Sequence, residues 1–384
     1  MKKKIIFIVN HAAFFCSHRL PIALEIIKNG CDFHLIIGEG GSYEMEIEAI
    51  KILKKNNISY SKTIFSPQFS INILKEIFSI FQIIYILINK KADIVHLISP
   101  KAILFGGFAC YLAGIKNKVF AISGLGFFYT GKENFKKKFL KIIYFFFLNF
   151  FLNARYSKTI IQNYDDFLEI KKIINIRNQE NLFFIPGSGV NHNNFKIKNF
   201  IQRKKIVLMT SRILVDKGVI EFFKAAKILK KKYKNWKFIL VGALDYQSPS
   251  AIKEKLFKKL LNEKNVEWVG YKKDIFNYLN KASIFCLPSY REGMSKSLIE
   301  AAMSGLPIVT TNVPGCRDVV KKNITGILVE PKNHIILSQG IEKLILNPKL
   351  RYLQSKRARI FAKNKFSLFN VVNETMKIYK NFYE

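Results

Sequence analysis

Two carboxylates and two cations are the residues of this 384-residue chain whose types and spacing can do chemistry. Glu292 and Glu300 stand eight positions apart in PSYREGMSKSLIEAAMSGLPIV. At about 1.5 Å of rise per helical residue they lie roughly 10 Å apart, too far to share a proton but suited to gripping two parts of an extended ligand. The start of a helix between them offers backbone N–H groups and the positive end of its dipole, which suit a phosphate. Arg212 and Lys217, in SRILVDKGVIEFF, can neutralise a diphosphate, and an Arg presents a planar fork to it. Ribose hydroxyls for one carboxylate, a diphosphate at the helix end and a hexose near the other carboxylate make the layout of a nucleotide-sugar. Each group alone also has a plainer account. Glu300 pairs with Lys296 at i, i+4, Glu292 caps a turn, and lone basic residues are solvated surface.

These residues must be positioned by strands and helices that the apolar pattern marks out. Ile284 to Leu287 reads as a buried parallel strand stopped by Pro288, and Ser295 to Ser304 as a helix with Leu298, Ile299, Ala302 and Met303 inward, ended by Gly305 and Pro307. Further strands are expected at 5–9, 34–38, 94–98, 119–123, 206–211, 238–243, 266–274 and 325–330. Helices are expected at 44–56, 71–90, 102–112, near 314–320, at 334–347 and at 350–383. Strands alternating with helices imply an α/β chain of parallel sheets wrapped by helices, and the length implies two domains.

The string P-S-x-x-E-G-x-x-x-S-L-x-E-A-x-x-x-G-x-P-I-V resembles the signature of the retaining GT-B glycosyltransferases grouped as glycosyltransferase family 4. The resemblance spans nearly the whole chain, most sharply Lys205 to Glu330. It implies two Rossmann-like domains facing an interdomain cleft: residues 1–195 for the acceptor, 205–365 for the nucleotide-sugar, and a last helix, 366–384, crossing back to the first domain. In that family the first Glu lies by the donor sugar and the second holds the ribose, roles that carry over to Glu292 and Glu300. Arg212 and Lys217, in R-x-x-x-x-K-G, match the residues that bind the donor diphosphate, and Gly270 and Tyr271 stand where the base is contacted. Gly293, Met294, Ser295, Lys296 and Ser297 complete the donor loop, with Met294-Ser295 replacing the usual Phe-Pro. Arg212, Lys217 and Glu292 are thus the catalytic candidates. The implied donor is a UDP-sugar, with no metal or cofactor, and the implied acceptor is a lipid-linked sugar of surface-glycan assembly.

On the acceptor side, His18 and Arg19 follow the first loop and Lys101 follows the strand of His96, at the strand ends where ligands bind. Gly124 and Gly126, in GLGFFYTG, resemble the acceptor loop of family members that extend polyprenyl-diphosphate-linked sugars. Ser123 stands where many members carry a His, so no catalytic His is assigned. PGSGV, residues 186–190, resembles the interdomain passage, and 191–204 reads as a linker.

Lys+Arg 63 against Asp+Glu 27 gives a net charge of +36, which attracts polyanions. The basic residues are spread evenly and no nucleic-acid module is readable, so no nucleic-acid partner is expected. No glycine fingerprint follows the first strand, which disfavours a dinucleotide dehydrogenase. Five scattered cysteines show no metal-type pairing and fit a reducing compartment. The apolar core of 135–156 is shorter than the roughly 20 residues of a spanning helix. Lys132 to Lys141 holds five lysines and one glutamate, and an aromatic run follows. This segment is expected to hold the protein peripherally on the inner face of the cytoplasmic membrane. The rival reading is a basic membrane- or nucleic-acid-binding protein without catalysis.

Overall fold

The structure, a computed structural model, describes residues 2–40, 43–65, 73–129, 135–173, 179–195, 203–246 and 248–382, the side chains of 73, 127, 128, 136, 137 and 173 excepted. The chain forms two compact units, Met1–Ser188 with Phe369–Glu384, and Gly189–Leu368.

The first unit is built on strands β1 (Lys4–Val9), β2 (Asp32–Ile37), β3 (Ser59–Lys62), β4 (Ile94–Ile98), β5 (Asn117–Ile122), β6 (Ser157–Ile161) and β7 (Leu182–Phe184). They pair in parallel in the order β3-β2-β1-β4-β5-β6-β7. β1 is KIIFIV and its last five residues are buried, the unbroken apolar run that a strand covered on both faces requires. The second unit has β8 (Ile206–Thr210), β9 (Lys237–Val241), β10 (Glu267–Trp268), β11 (Ile284–Leu287), β12 (Ile308–Thr311) and β13 (Gly326–Val329), ordered β10-β9-β8-β11-β12-β13 and again parallel. Each sheet grows outward in one direction from its first strand, then reverses. The switch falls between β1 and β4 in one unit and between β8 and β11 in the other, and ligands bind at the carboxyl ends of strands at such points.

Helices cover both faces. On one face of the first sheet a single apolar core joins Val95, Leu97 and Phe120 to residues of helices Ile73–Lys90, Pro100–Leu112 and Phe135–Leu152. β3 was not anticipated, because SYSK is a polar edge strand without an apolar pattern. It is tied to β2 by His34, whose ring nitrogens meet Ser59 Oγ at 2.6 Å and Ser61 Oγ at 2.9 Å. Burial disfavours the imidazolium there and lowers its pKa to about 4.

Three expected elements differ. The strand expected over 266–274 shrinks to Glu267–Trp268, because Gly270 turns the chain at φ 71°. The helix expected near 314–320 is a turn in which Gly315, at φ 75°, donates to Asp318 Oδ2. The tail is not one helix but two, Pro348–Lys365 and Leu368–Lys380. The break occurs where the chain pairs with Val190, whose N–H donates to Phe366 and whose carbonyl accepts from Leu368.

Candidate active site

In the second unit the loops after β8 and β11 meet at the switch point. Gly218, at φ 72°, lies so close to β11 that a Cβ there would collide with the Pro288 carbonyl. Tyr290 N–H donates to the Asp216 carbonyl at 2.8 Å and the Tyr290 hydroxyl donates to Glu221 at 2.8 Å, so one residue clamps the two loops together. The Thr311 hydroxyl donates to Ser289 O and Glu292 N–H donates to Pro314 O, seating the same loop on the segment after β12.

This scaffold brings Lys217 and Glu292, 75 residues apart in sequence, into contact. Lys217 Nζ donates to both Glu292 oxygens, at 2.7 and 2.8 Å, and Ser289 Oγ donates to Oε1 at 2.7 Å. Both charged side chains are largely buried, at 18% and 12% exposure. Arg212, more open, donates to Asp245 Oδ2 at 2.7 Å. Asp245 follows β9 and was not singled out, since a lone acid in a loop has no spacing to betray it. Its only sequence signal is its place four residues past the end of an apolar strand run.

Met294 and Ser295 are buried where the loop enters helix Lys296–Met303. Ser295, the N-cap residue, makes no side-chain cap, and its hydroxyl lies 3.2 Å from that of Ser297. Gly293 precedes them in the turn. Glu300 faces Lys296 Nζ at 3.8 Å, the i, i+4 pair of the plainer account, and burial raises its pKa. Gly270 accepts from Gly242 N–H at 2.9 Å, which sets Tyr271, 39% exposed, just beyond the end of β10. Two cations, two carboxylates that engage them, a helix start and a third carboxylate on that helix therefore follow the ends of β8, β9 and β11.

The acceptor candidates of the first unit lie on separate segments, after β1, β4 and β5. His18 ends helix Ala12–His18, stacked on Phe14 with Nδ1 3.2 Å from the Phe14 carbonyl. Arg19 is drawn inside, donating to the His18 carbonyl, and its pKa is lowered to about 10 by burial. Lys101, at the start of the helix after β4, is ion-paired with buried Glu76 at 2.6 Å and lies against Phe65 and Phe105. Gly124 and Gly126 follow β5. Their turn is held by Asp166, which accepts from Leu125 N–H at 3.1 Å and from Asn163 Nδ2 at 2.7 Å. His96 is buried, with Nδ1 2.5 Å from the Tyr379 hydroxyl, a link to the last helix. Ser99, at φ 91°, holds a backbone that side-chain-bearing residues rarely adopt, and its hydroxyl donates to Asn10 Oδ1 across the β1–β4 switch.

Two Rossmann-like units whose sheets share one order over six strands, the first with a seventh added at its edge, have the architecture of the GT-B fold. Among solved structures, Anabaena HepE in complex with UDP and glucose has the same fold, with a TM-score of 0.78 at 16% identity over 98% of this chain and 99% of that one. WaaG, a glycosyltransferase involved in lipopolysaccharide biosynthesis, gives 0.67 at 15% identity over 97% of this chain and 99% of that one. The family model for glycosyl transferases group 1 matches residues 190–361, and that for glycosyl transferase 4-like proteins matches residues 4–156. One model falls in each unit, and the chain is a glycosyltransferase. Its relatives include the capsular polysaccharide biosynthesis glycosyltransferase CapM of Staphylococcus aureus, 25% identical over 92% of this chain and 91% of that protein. Another is the N,N'-diacetylbacillosaminyl-diphospho-undecaprenol alpha-1,3-N-acetylgalactosaminyltransferase of Campylobacter jejuni, 29% identical over 91% of this chain and 92% of its own length.

Proposed function

We propose that this glycosyltransferase moves a hexosyl or N-acetylhexosaminyl group from a UDP-sugar, with retention, to an undecaprenyl-diphosphate-type glycan in surface-polysaccharide assembly. The donor is assigned to residues 205–365 and the acceptor to 1–195. The observation that carries the proposal is the convergence of Lys217, Glu292 and Arg212 on the β8–β11 switch. Lys217 and Arg212 exchange their carboxylate partners for the diphosphate of the donor. They then oppose the charge that grows on it as the anomeric bond breaks, helped by the start of helix Lys296–Met303. Glu292 is released toward the sugar, and Glu300 accepts from the ribose hydroxyls. Tyr271 and Gly270 border the base. A transition state with a departing diphosphate needs this electrostatic term more than it needs a proton relay, consistent with Ser123 standing where relatives carry His.

The lipid-linked acceptor is supported by two relatives whose names state one. These are the Campylobacter enzyme and an Escherichia coli UDP-Gal:alpha-D-GlcNAc-diphosphoundecaprenol alpha-1,3-galactosyltransferase, 26% identical over 81% of both chains. Such an acceptor brings the enzyme to the inner face of the cytoplasmic membrane. A thermal-shift panel of nucleotides and nucleotide-sugars tests the donor, because a ligand bound only by the folded state stabilises it by mass action. UDP and one UDP-sugar are expected to raise the melting temperature. No shift with any nucleotide, alongside salt-dependent binding to random DNA, would favour the non-catalytic basic protein instead.

A further inference from the structure

Helices Ile73–Lys90 and Phe135–Leu152 of the first unit are apolar on two sides. One side of each enters the core on the sheet, through Ile83 and Leu87 in the first and Tyr144, Leu148 and Phe151 in the second. The other side faces away and is equally apolar. Leu74, Phe78, Phe81, Tyr85 and Ile88 recur at alternating intervals of four and three, the spacing of a single helical seam, and all are exposed, Tyr85 at 70%. Phe135, Phe139, Ile142 and Phe146 do the same, Phe146 at 68%. Helix Pro100–Leu112 lies between the two, joined to the first by the Lys101–Glu76 pair and to the second by ring contacts of Phe108 with Phe147 and of Tyr111 with Phe150. Its own exposed end, Tyr111 and Leu112, continues the surface. A helix apolar all round belongs in a core or in lipid, and an exposed apolar face this broad marks an interaction site.

Charge decides the partner. The two helices carry Lys75, Lys90, Lys136, Lys137, Lys138 and Lys141, and their one acid, Glu76, is buried against Lys101. Residues 130–134 and the side chains of Lys136 and Lys137 lie outside the described residues. A second copy of the chain laid on this face would bring lysine against lysine, whereas an anionic bilayer would neutralise them. Among the described residues no helix is long and apolar enough to cross a membrane, so the face can lie on a bilayer but not span it.

We propose that the outward seams of helices Ile73–Lys90 and Phe135–Leu152 form one lipid-facing surface that seats the first unit on an anionic bilayer. The proposal rests on the lipid-linked acceptor reading and names the surface that delivers the enzyme to it. Helix Ile73–Lys90 contributes as much of the surface as the basic aromatic segment that the sequence points to.

The full chain is mixed with vesicles of phosphatidylglycerol and phosphatidylcholine in equal parts, and with phosphatidylcholine alone, and the bound fraction is read by co-sedimentation. Wild type is expected to bind the anionic vesicles at least about ten-fold more strongly than the neutral ones. Phe81→Glu with Tyr85→Glu, and separately Phe139→Glu with Phe146→Glu, should each weaken that binding by about ten-fold or more. All four positions are exposed, so the thermal shift with UDP should be that of wild type. If the Phe81/Tyr85 variant binds anionic vesicles as well as wild type does, helix Ile73–Lys90 is not part of the surface and the proposal fails. A wild-type dimer in sedimentation velocity that this variant dissociates would assign the face to a second copy and also overturn it. Failure of the donor reading appears separately, as absence of a nucleotide shift whatever the vesicles show.

Discussion

Replacing Lys217 by Ala removes the cation from a largely buried pair and leaves the Glu292 carboxylate with one, from the Ser289 hydroxyl, of its three side-chain hydrogen bonds. Fully exposed pairs contribute up to about 1 kcal/mol, and stripping one partner from a fully buried pair costs about 3–5 kcal/mol. At 18% and 12% side-chain exposure the cost falls between, at about 2 kcal/mol. For a unit of this size that lowers the melting temperature by about 4–8 °C. The same substitution removes the charge proposed to oppose the departing diphosphate, for which a loss of about 10²–10³ in kcat is expected. Glu292→Gln added to Lys217→Ala removes the stranded charge as well. The double variant should regain about half of the lost melting temperature and none of the transfer rate. Calorimetry and initial rates with a UDP-sugar and its acceptor separate the two effects. An unchanged melting temperature in Lys217→Ala would refute the pair. A double variant that recovers activity would show that Lys217 serves only to neutralise Glu292.

Four further outcomes are expected. Glu300→Gln should raise KM for the donor and Arg212→Ala should mainly lower kcat, since one group grips the ground-state ribose and the other the growing charge; near wild-type kinetics in both would unseat the assignment. Burial raises the Glu300 pKa, so donor affinity should fall on acidification at a higher pH than an ordinary carboxylate dictates, and titration of UDP affinity should lose this step in Glu300→Gln. His34, held at about 4 in the folded state, contributes stability that is present above about 6.5 and lost as pH falls through about 4, so His34→Gln should flatten unfolding free energy over that window. Separately, with no Asp-x-Asp string in the chain and protein cations available for the diphosphate, transfer should survive EDTA; loss restored by magnesium or manganese would contradict the donor site.

The residues proposed for the donor could be picked out because they sit where apolar strands end, and a strand end in a parallel sheet is both easy to read and a place where ligands bind. Lys217 and Glu292 could each be picked out in sequence, but their contact depends on β11 lying beside β8, a neighbour relation that no local pattern encodes. Asp245 and the Tyr290 clamp escaped notice for the same reason, since each matters through a partner from another loop. Polar β3 lacks the periodicity that announces a strand. The break at Phe366 is imposed by Val190, far away in sequence, and overrides a helical pattern that runs straight through it. Arg19 and Lys101 read in the sequence as candidate anion contacts; the fold buries the first and pairs the second with Glu76, whose position in an apolar helix gives no hint of a partner.

The first unit is discontinuous. Its core includes Val371, Ile378 and Tyr379, and Tyr379 closes on His96 from 283 residues downstream. During synthesis the first 188 residues therefore emerge without the helix that completes them, while everything between Gly189 and Leu368 is made as one stretch. The usual order of assembly, amino-terminal domain first, is inverted, because the later unit is the first to possess all its own parts. A nascent chain exposed only as far as Leu368 would hold every residue of the second unit while the His96 imidazole still lacked its phenol.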